Sequence, residues 1–167
     1  GFAEELYAPA DHLIPVPDGV TPEEAAMTEP AAVAYHGTHG FDLPPGARAL
    51  VIGGGPIGLI AAQWLRIRGA VEGFVADIDQ EKLTFAEKFG FKAVDSRDLT
   101  ALKDGCDVVI EACGLGVTRD AAVACTARKG TLSFIGNPGD DWVFAKPLFS
   151  SVLRKELNLR GNWNSIP

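Results

Sequence analysis

The sequence predicts an α/β fold: one doubly wound, six-stranded parallel sheet with helices on both faces. Three observations predict it. From Ala49 onward, short apolar runs alternate with amphipathic segments of helical period. The first run, Ala49-Leu50-Val51-Ile52, passes directly into Gly53-Gly54-Gly55-Pro56-Ile57-Gly58, the G-x-G-x-x-G spacing of a tight strand-to-helix turn. An acid, Asp77, closes the second apolar run nineteen residues beyond Gly58.

Taken in order, Phe2 to Pro17 mixes short apolar runs with Pro9, Pro15 and Pro17 and lacks helical period, so it reads as a strand or two and a connector. Thr21-Pro22-Glu23-Glu24 opens a helix, with Thr21 as N-cap, proline at the first helical position and acids in the first turn. Pro30 is expected to break or kink that helix; a second helical segment over 31–39 ends near Gly40, and Pro44-Pro45-Gly46 is a turn. The alternation then predicts strand 49–52, helix 56–68 ended by Gly69, strand 73–77, helix 80–89 ended by Gly90, and strand 91–94. A fourth strand covers 107–112, and a helix over 117–127 is stopped by Arg128-Lys129-Gly130. A fifth strand covers 131–135, a helix 148–156 and a sixth strand 157–161. Helical crossovers make the sheet parallel, and such sheets take ligands at the carboxyl ends of their strands.

The glycine spacing and Asp77 together name a dinucleotide, NAD. Gly53 allows the tight turn, Gly55 lets the backbone approach a pyrophosphate, and Gly58 lets the helix pack on its strand. The phosphates then sit at the positive end of the helix. A carboxylate at the tip of the second strand accepts hydrogen bonds from both ribose hydroxyls and repels a 2′-phosphate, which argues for NAD over NADP. A ligand-free strand-to-helix turn is the bland alternative. A phosphoryl-transfer loop is opposed by Leu59-Ile60, where Lys-Ser/Thr would be needed.

The length of 167 residues and 47% hydrophobic content allow one good core. With 15 Lys+Arg against 22 Asp+Glu, the formal charge of -7 disfavours nucleic acid as a partner. No apolar run reaches the ~20 residues that span a bilayer, and no leader is visible, so a soluble, cytoplasmic protein is expected. Cys106, Cys113 and Cys125 are odd in number and lack C-x-x-C spacing, which reads as reduced core thiols. Gly1 is no initiator and the single Met is Met27, so the chain reads as a piece of something longer. His36 and His39 lie one helical turn apart, but with His12 they make a poor zinc site, and no G-x-S-x-G elbow is present.

These residues resemble the zinc-dependent medium-chain alcohol and polyol dehydrogenases, the branch of the sorbitol, threonine and galactitol-1-phosphate enzymes. The resemblance runs nearly end to end, through Phe2-Ala3-Glu4-Glu5, Val16-Pro17-Asp18-Gly19, the Glu-Pro pair Glu29-Pro30, the glycine loop, Asp77-Ile78-Asp79-Gln80-Glu81-Lys82, and Leu153-Arg154-Lys155-Glu156-Leu157 with Arg160-Gly161. It implies that residues 1–20 are the tail of a catalytic domain and a connector, and that 21–167 form an NAD-binding Rossmann domain. It also implies that Pro56 and the Ile57 N–H meet the pyrophosphate and that Lys82 joins Asp77 at the ribose. Cys113 and Gly114 then lie beneath the cofactor, and Ile135, Gly136, Asn137, Asn162, Trp163 and Asn164 line the nicotinamide half. Zinc is implied for the parent enzyme, with Glu29 the one metal-site residue and no catalytic residue in this stretch. The activity implied is oxidation of a polyol, sugar alcohol or related secondary alcohol. A homo-oligomer is implied through Asp141 to Lys146, where Trp142, Val143 and Phe144 read as an apolar edge. The alternatives are a non-catalytic NAD-sensing domain, a zinc-free quinone reductase, and a methyltransferase that shares the sheet but needs no pyrophosphate site.

Overall fold

The computed structural model describes residues 3–164. Its strands are β1 (Arg48–Ile52), β2 (Glu72–Asp77), β3 (Lys92–Asp95), β4 (Cys106–Glu111), β5 (Thr126–Phe134) and β6 (Asn158–Gly161). They form one sheet in the order β3-β2-β1-β4-β5-β6, with every neighbouring pair parallel. The helices are α1 (Pro22–Ala26), α2 (Thr28–Thr38), α3 (Pro56–Ile67), α4 (Gln80–Lys88), α5 (Gly116–Cys125) and α6 (Lys146–Lys155). The chain builds outward from β1 to β3, then returns to place β4 on the other side of β1. The switch point therefore lies between β1 and β4, where such sheets open a crevice at their carboxyl ends.

Both faces of the sheet's centre are covered, which is why β1 and β4 carry the apolar runs 49–52 and 108–110. Side chains alternate along a strand. Ala49 and Val51 thus join Leu59, Ala62 and Leu65 of α3 on one face, while Leu50 and Ile52 join Ala122 and Val123 of α5 on the other. At the amino end, Thr21 and Glu24 form a reciprocal cap: the Glu24 N–H donates to Thr21 Oγ1 at 3.2 Å, and the Thr21 N–H donates to Glu24 Oε2 at 2.9 Å.

Three expectations need correction. The first stretch holds no strand among its described residues; it has one 3-10 turn, Ala10–His12, and everything from 3 to 20 is exposed. Leu6, Tyr7, Leu13 and Ile14 find no covering face, and prolines at 9, 15 and 17 cannot donate to a ladder. The helix break falls at Met27 instead of Pro30, which sits in the first turn of α2, where its missing N–H is not needed. Finally, Arg128-Lys129-Gly130 does not follow a helix end: α5 stops at Cys125 and β5 starts at once, with Thr126 paired to Cys106. The register shifts between Cys106 and Val108, Lys129 adopts φ 60, and the three residues form an irregularity inside β5. No helix of the described residues is long and apolar enough to cross a membrane.

Candidate dinucleotide site

The loop after β1 uses its glycines for three separate reasons. Gly53 has φ 111, and its N–H donates to the Ala76 carbonyl at 2.7 Å, tying the turn to β2. A Cβ on Gly58 would collide with the Gly53 carbonyl oxygen, so α3 approaches its strand only through glycine. Gly55, the N-cap of α3, is different: a Cβ there would meet nothing within 4 Å. The open side of the loop thus lies where the first-turn N–H groups of Ile57 and Gly58 have no carbonyl of their own helix to bond. Pro56, at the first helical position, has no N–H to leave unpaired. This cradle fits a phosphate-bearing ligand.

Asp77 ends β2 and is buried. Its Oδ2 accepts from the Gly54 N–H at 2.7 Å and its Oδ1 from the Asp79 N–H at 3.0 Å, with Lys82 Nζ 3.5 Å from Oδ2. Burial alone raises the pKa of this carboxyl, but the Gly54 and Asp79 N–H groups and the Lys82 charge together outweigh it and hold it below its ordinary value. It is therefore an anchored anion beside the glycine loop. Gly53, Gly55, Asp77, Lys82 and Cys113 line a single cleft of about 560 Å³. The neighbouring wall positions Ser96 and Arg97 carry no motif that sequence reasoning used. The rule that ligands meet the residues following each strand was the signal that could have found them.

A second cavity of about 190 Å³ brings together Ile135, Asn137, Asn162, Trp163 and Asn164, and adds Val33 from α2. Its walls are tied to that helix. Ser133, fully buried, donates from Oγ to the Gly37 carbonyl at 2.6 Å and accepts from Asn162 Nδ2 at 2.7 Å. Gly37 leaves no room for a Cβ against Ile135, and His36 Nδ1 lies 2.7 Å from the Asn164 carbonyl. Gly114 and Gly136 do not stand at either cavity wall. Gly114 has φ 81, and a Cβ on it would strike the Asn137 carbonyl; one on Gly136 would strike the Gly114 nitrogen. They bring the loops after β4 and β5 into backbone contact.

The residue behind that contact is Glu111, which sequence reasoning missed because it reads as the last residue of an ordinary buried strand. It is fully buried, and its Oε1 accepts from the N–H groups of Cys113 and Gly114 and from the Thr118 hydroxyl, each at 2.8 Å. Its backbone carbonyl accepts from Ile135 and Gly136 at 2.9 and 3.0 Å. One residue thus holds both loops, while its Oε2 is buried without a partner among the described residues.

All three cysteines are free; Cys106 and Cys125 are buried, as core thiols should be, but Cys113 is exposed at the end of β4. Burial pushes Cys106 up to about 12 and Cys125 up to about 11. Glu29 stands apart, exposed in the first turn of α2. His39 is stacked on Tyr35 with ring centroids 3.6 Å apart. No group of three or more His, Cys, Asp or Glu able to hold a metal occurs among the described residues, so these residues alone do not fit a zinc ion. The 141–146 segment is not a sheet edge: the edge strand on that side is β6, and residues 141–145 are irregular. Trp142 is half-buried, its Nε1–H donating to Asp120 Oδ1 at 2.8 Å and its ring packed on Phe134. Val143, Phe144 and Phe149 stay exposed.

Residues 56–165 match the family model described as zinc-binding dehydrogenase. The chain is 31% identical over 166 residues to (R,R)-butanediol dehydrogenase of Saccharomyces cerevisiae, covering 93% of this chain and 44% of that one. It superimposes on galactitol-1-phosphate dehydrogenase from Escherichia coli with a TM-score of 0.88 at 26% identity, over 99% of this chain and 50% of that one. A Sinorhizobium meliloti protein solved bound to NADP gives 0.80 at 26% identity, over 90% and 47%. The chain spans about half the length of the relatives it matches. A six-stranded parallel sheet switched at a glycine loop and matched by this family model over most of its length places the chain in the zinc-binding dehydrogenase family.

Proposed function

We propose that the chain is the NAD(H)-binding part of a zinc-dependent dehydrogenase that oxidises a polyol, sugar alcohol or related secondary alcohol. The observation that carries this reading is Asp77, an anchored carboxylate at the end of β2, on the wall of the cleft that holds the glycine loop. Its two oxygens take the ribose hydroxyls, with Lys82 beside them, and the Ile57 and Gly58 N–H groups take the pyrophosphate. The second cavity, with Ile135, Asn137, Asn162, Trp163 and Asn164, takes the nicotinamide ring, and Cys113 lies beneath the cofactor. The bound nicotinamide supplies a hydride acceptor at C4. The alcohol substrates in the names of the butanediol and galactitol-phosphate relatives support the substrate class. Glu29 is assigned as a carboxylate that approaches a metal held by residues other than those described. The NADP-bound relative favours a second reading of cofactor preference, and titration separates the two.

In calorimetric titrations NAD is expected to bind more tightly than NADP. Asp77→Ser is expected to weaken NAD by roughly one to two decades and to narrow the preference, since it removes charge-assisted hydrogen bonds and the anchor of Gly54. Equal or tighter NADP binding by the unaltered chain would sink the NAD assignment. We also assign a homo-oligomer to the face carrying Val143, Phe144 and Phe149. Sedimentation of the chain at high concentration should show a dimer, and Phe144→Asp should shift it to monomer. An unchanged profile refutes that surface. A cytoplasmic location is proposed with this activity.

A further inference from the structure

We propose that Arg97, held flat by Asp95, reads the base of the dinucleotide's adenosine half and helps to set which nucleotide the cleft accepts. This rests on the cofactor reading above. Asp95 ends β3 in register with Asp77 at the end of β2, so two carboxylates stand side by side on neighbouring strands. Each has its own cation, Lys82 for Asp77 and Arg97 for Asp95. Asp95 Oδ1 accepts from the Arg97 backbone N–H at 2.9 Å and from its Nε at 2.8 Å, while Nη2 donates to Oδ2. The Arg97 side chain and backbone hydrogen bonds push the Asp95 carboxyl down to about 2, so the clamp is fully charged at neutral pH.

An exposed pair of this kind contributes little to stability. What it does is stop a long side chain from sweeping and fix the plane of its guanidinium. Nη1 is the one guanidinium nitrogen with no acceptor among the described residues, and Arg97 and Ser96 belong to the wall of the cleft that also holds Asp77. The same wall carries Ile78, Leu115 and Val117, exposed apolar side chains on a largely apolar cleft whose charged members are Asp77, Lys82 and Arg97. Apolar surfaces suit the flat faces of a purine, and a planar donor suits its ring nitrogens. With Asp77 taken by the ribose, the base is the part of the ligand left to meet Arg97. A 2′-phosphate is the wrong partner, because Asp95 already neutralises the guanidinium and Asp77 repels a second anion.

The test is calorimetry of the 167-residue chain with ADP-ribose, NAD and NADP. Arg97→Ala should weaken ADP-ribose and NAD alike by about tenfold, the loss of one charge-assisted hydrogen bond. Arg97→Lys should fail to restore affinity, since it keeps the charge and loses the fork, and Asp95→Asn should cause a smaller loss. The proposal is overturned if Arg97→Ala leaves ADP-ribose affinity unchanged, if Arg97→Lys restores it fully, or if the loss is confined to NADP. An unaltered chain that binds none of the three overturns the cofactor reading together with this one. Binding that ignores Arg97 overturns this one alone.

Discussion

Glu111→Ala is expected to destabilise the chain by about 4 kcal/mol, the largest single effect outside the apolar core. The side chain is fully buried, and one oxygen serves two backbone N–H groups and a hydroxyl, each at 2.8 Å. Truncation leaves the Cys113 and Gly114 N–H groups unpaired, each costing ~1–3 kcal/mol, while the Thr118 hydroxyl keeps the Leu115 carbonyl, and it also opens a cavity. Glu111→Gln keeps an acceptor in the same place and should recover most of the loss. Urea unfolding of the two variants checks this. Glu111→Ala within about 1 kcal/mol of the parent would refute it.

Gly58→Ala should lower the thermal midpoint by ~10 °C and remove measurable NAD binding. The added Cβ meets the Gly53 carbonyl oxygen, which is backbone and cannot rotate away. Overpacking of this kind costs ~3 kcal/mol, and each kcal/mol moves the midpoint of a chain this size by ~2–4 °C. Relief requires α3 to slide from β1, which moves the Ile57 N–H away from its place at the loop. A circular-dichroism melt within ~2 °C of the parent, with NAD affinity kept, would show that the loop yields more easily than its geometry implies.

The parts of the fold that were legible in the sequence are those governed by local rules. The strands β1 and β2 carry apolar runs, α3 and α4 stop two residues before Gly69 and Gly90, and Thr21 caps α1, so pattern and structure agree there. What was not legible depends on neighbours distant in sequence. The start of β5 at Thr126 follows from its pairing with Cys106, and the position of Trp142 follows from Asp120 and Phe134. The first stretch reads as strand-like because its short apolar runs lack helical period, but a strand needs a ladder partner, and none of its described residues is covered. That the glycine loop and Asp77 meet was legible because each stands at the carboxyl end of a neighbouring strand, and the Gly54 N–H donates to Asp77. Glu111 was not, since a glutamate ending an apolar run gives no sign of the three donors that the fold brings to it.

The Ser133 tie between the Gly37 carbonyl and Asn162 has a mechanical consequence. The turn of α2 around His36 and Gly37, the end of β5 and the segment from Asn162 to Asn164 are joined by hydrogen bonds and by a contact too tight for a methyl group. These ties make them one unit, so the wall of the second cavity follows the position of α2. The nearest joint in the chain is Met27, the single residue between α1 and α2, with φ -81 and ψ -4. Glu29 and Val33, the α2 residue in the cavity wall, therefore share one helix, and its geometry sets their spacing.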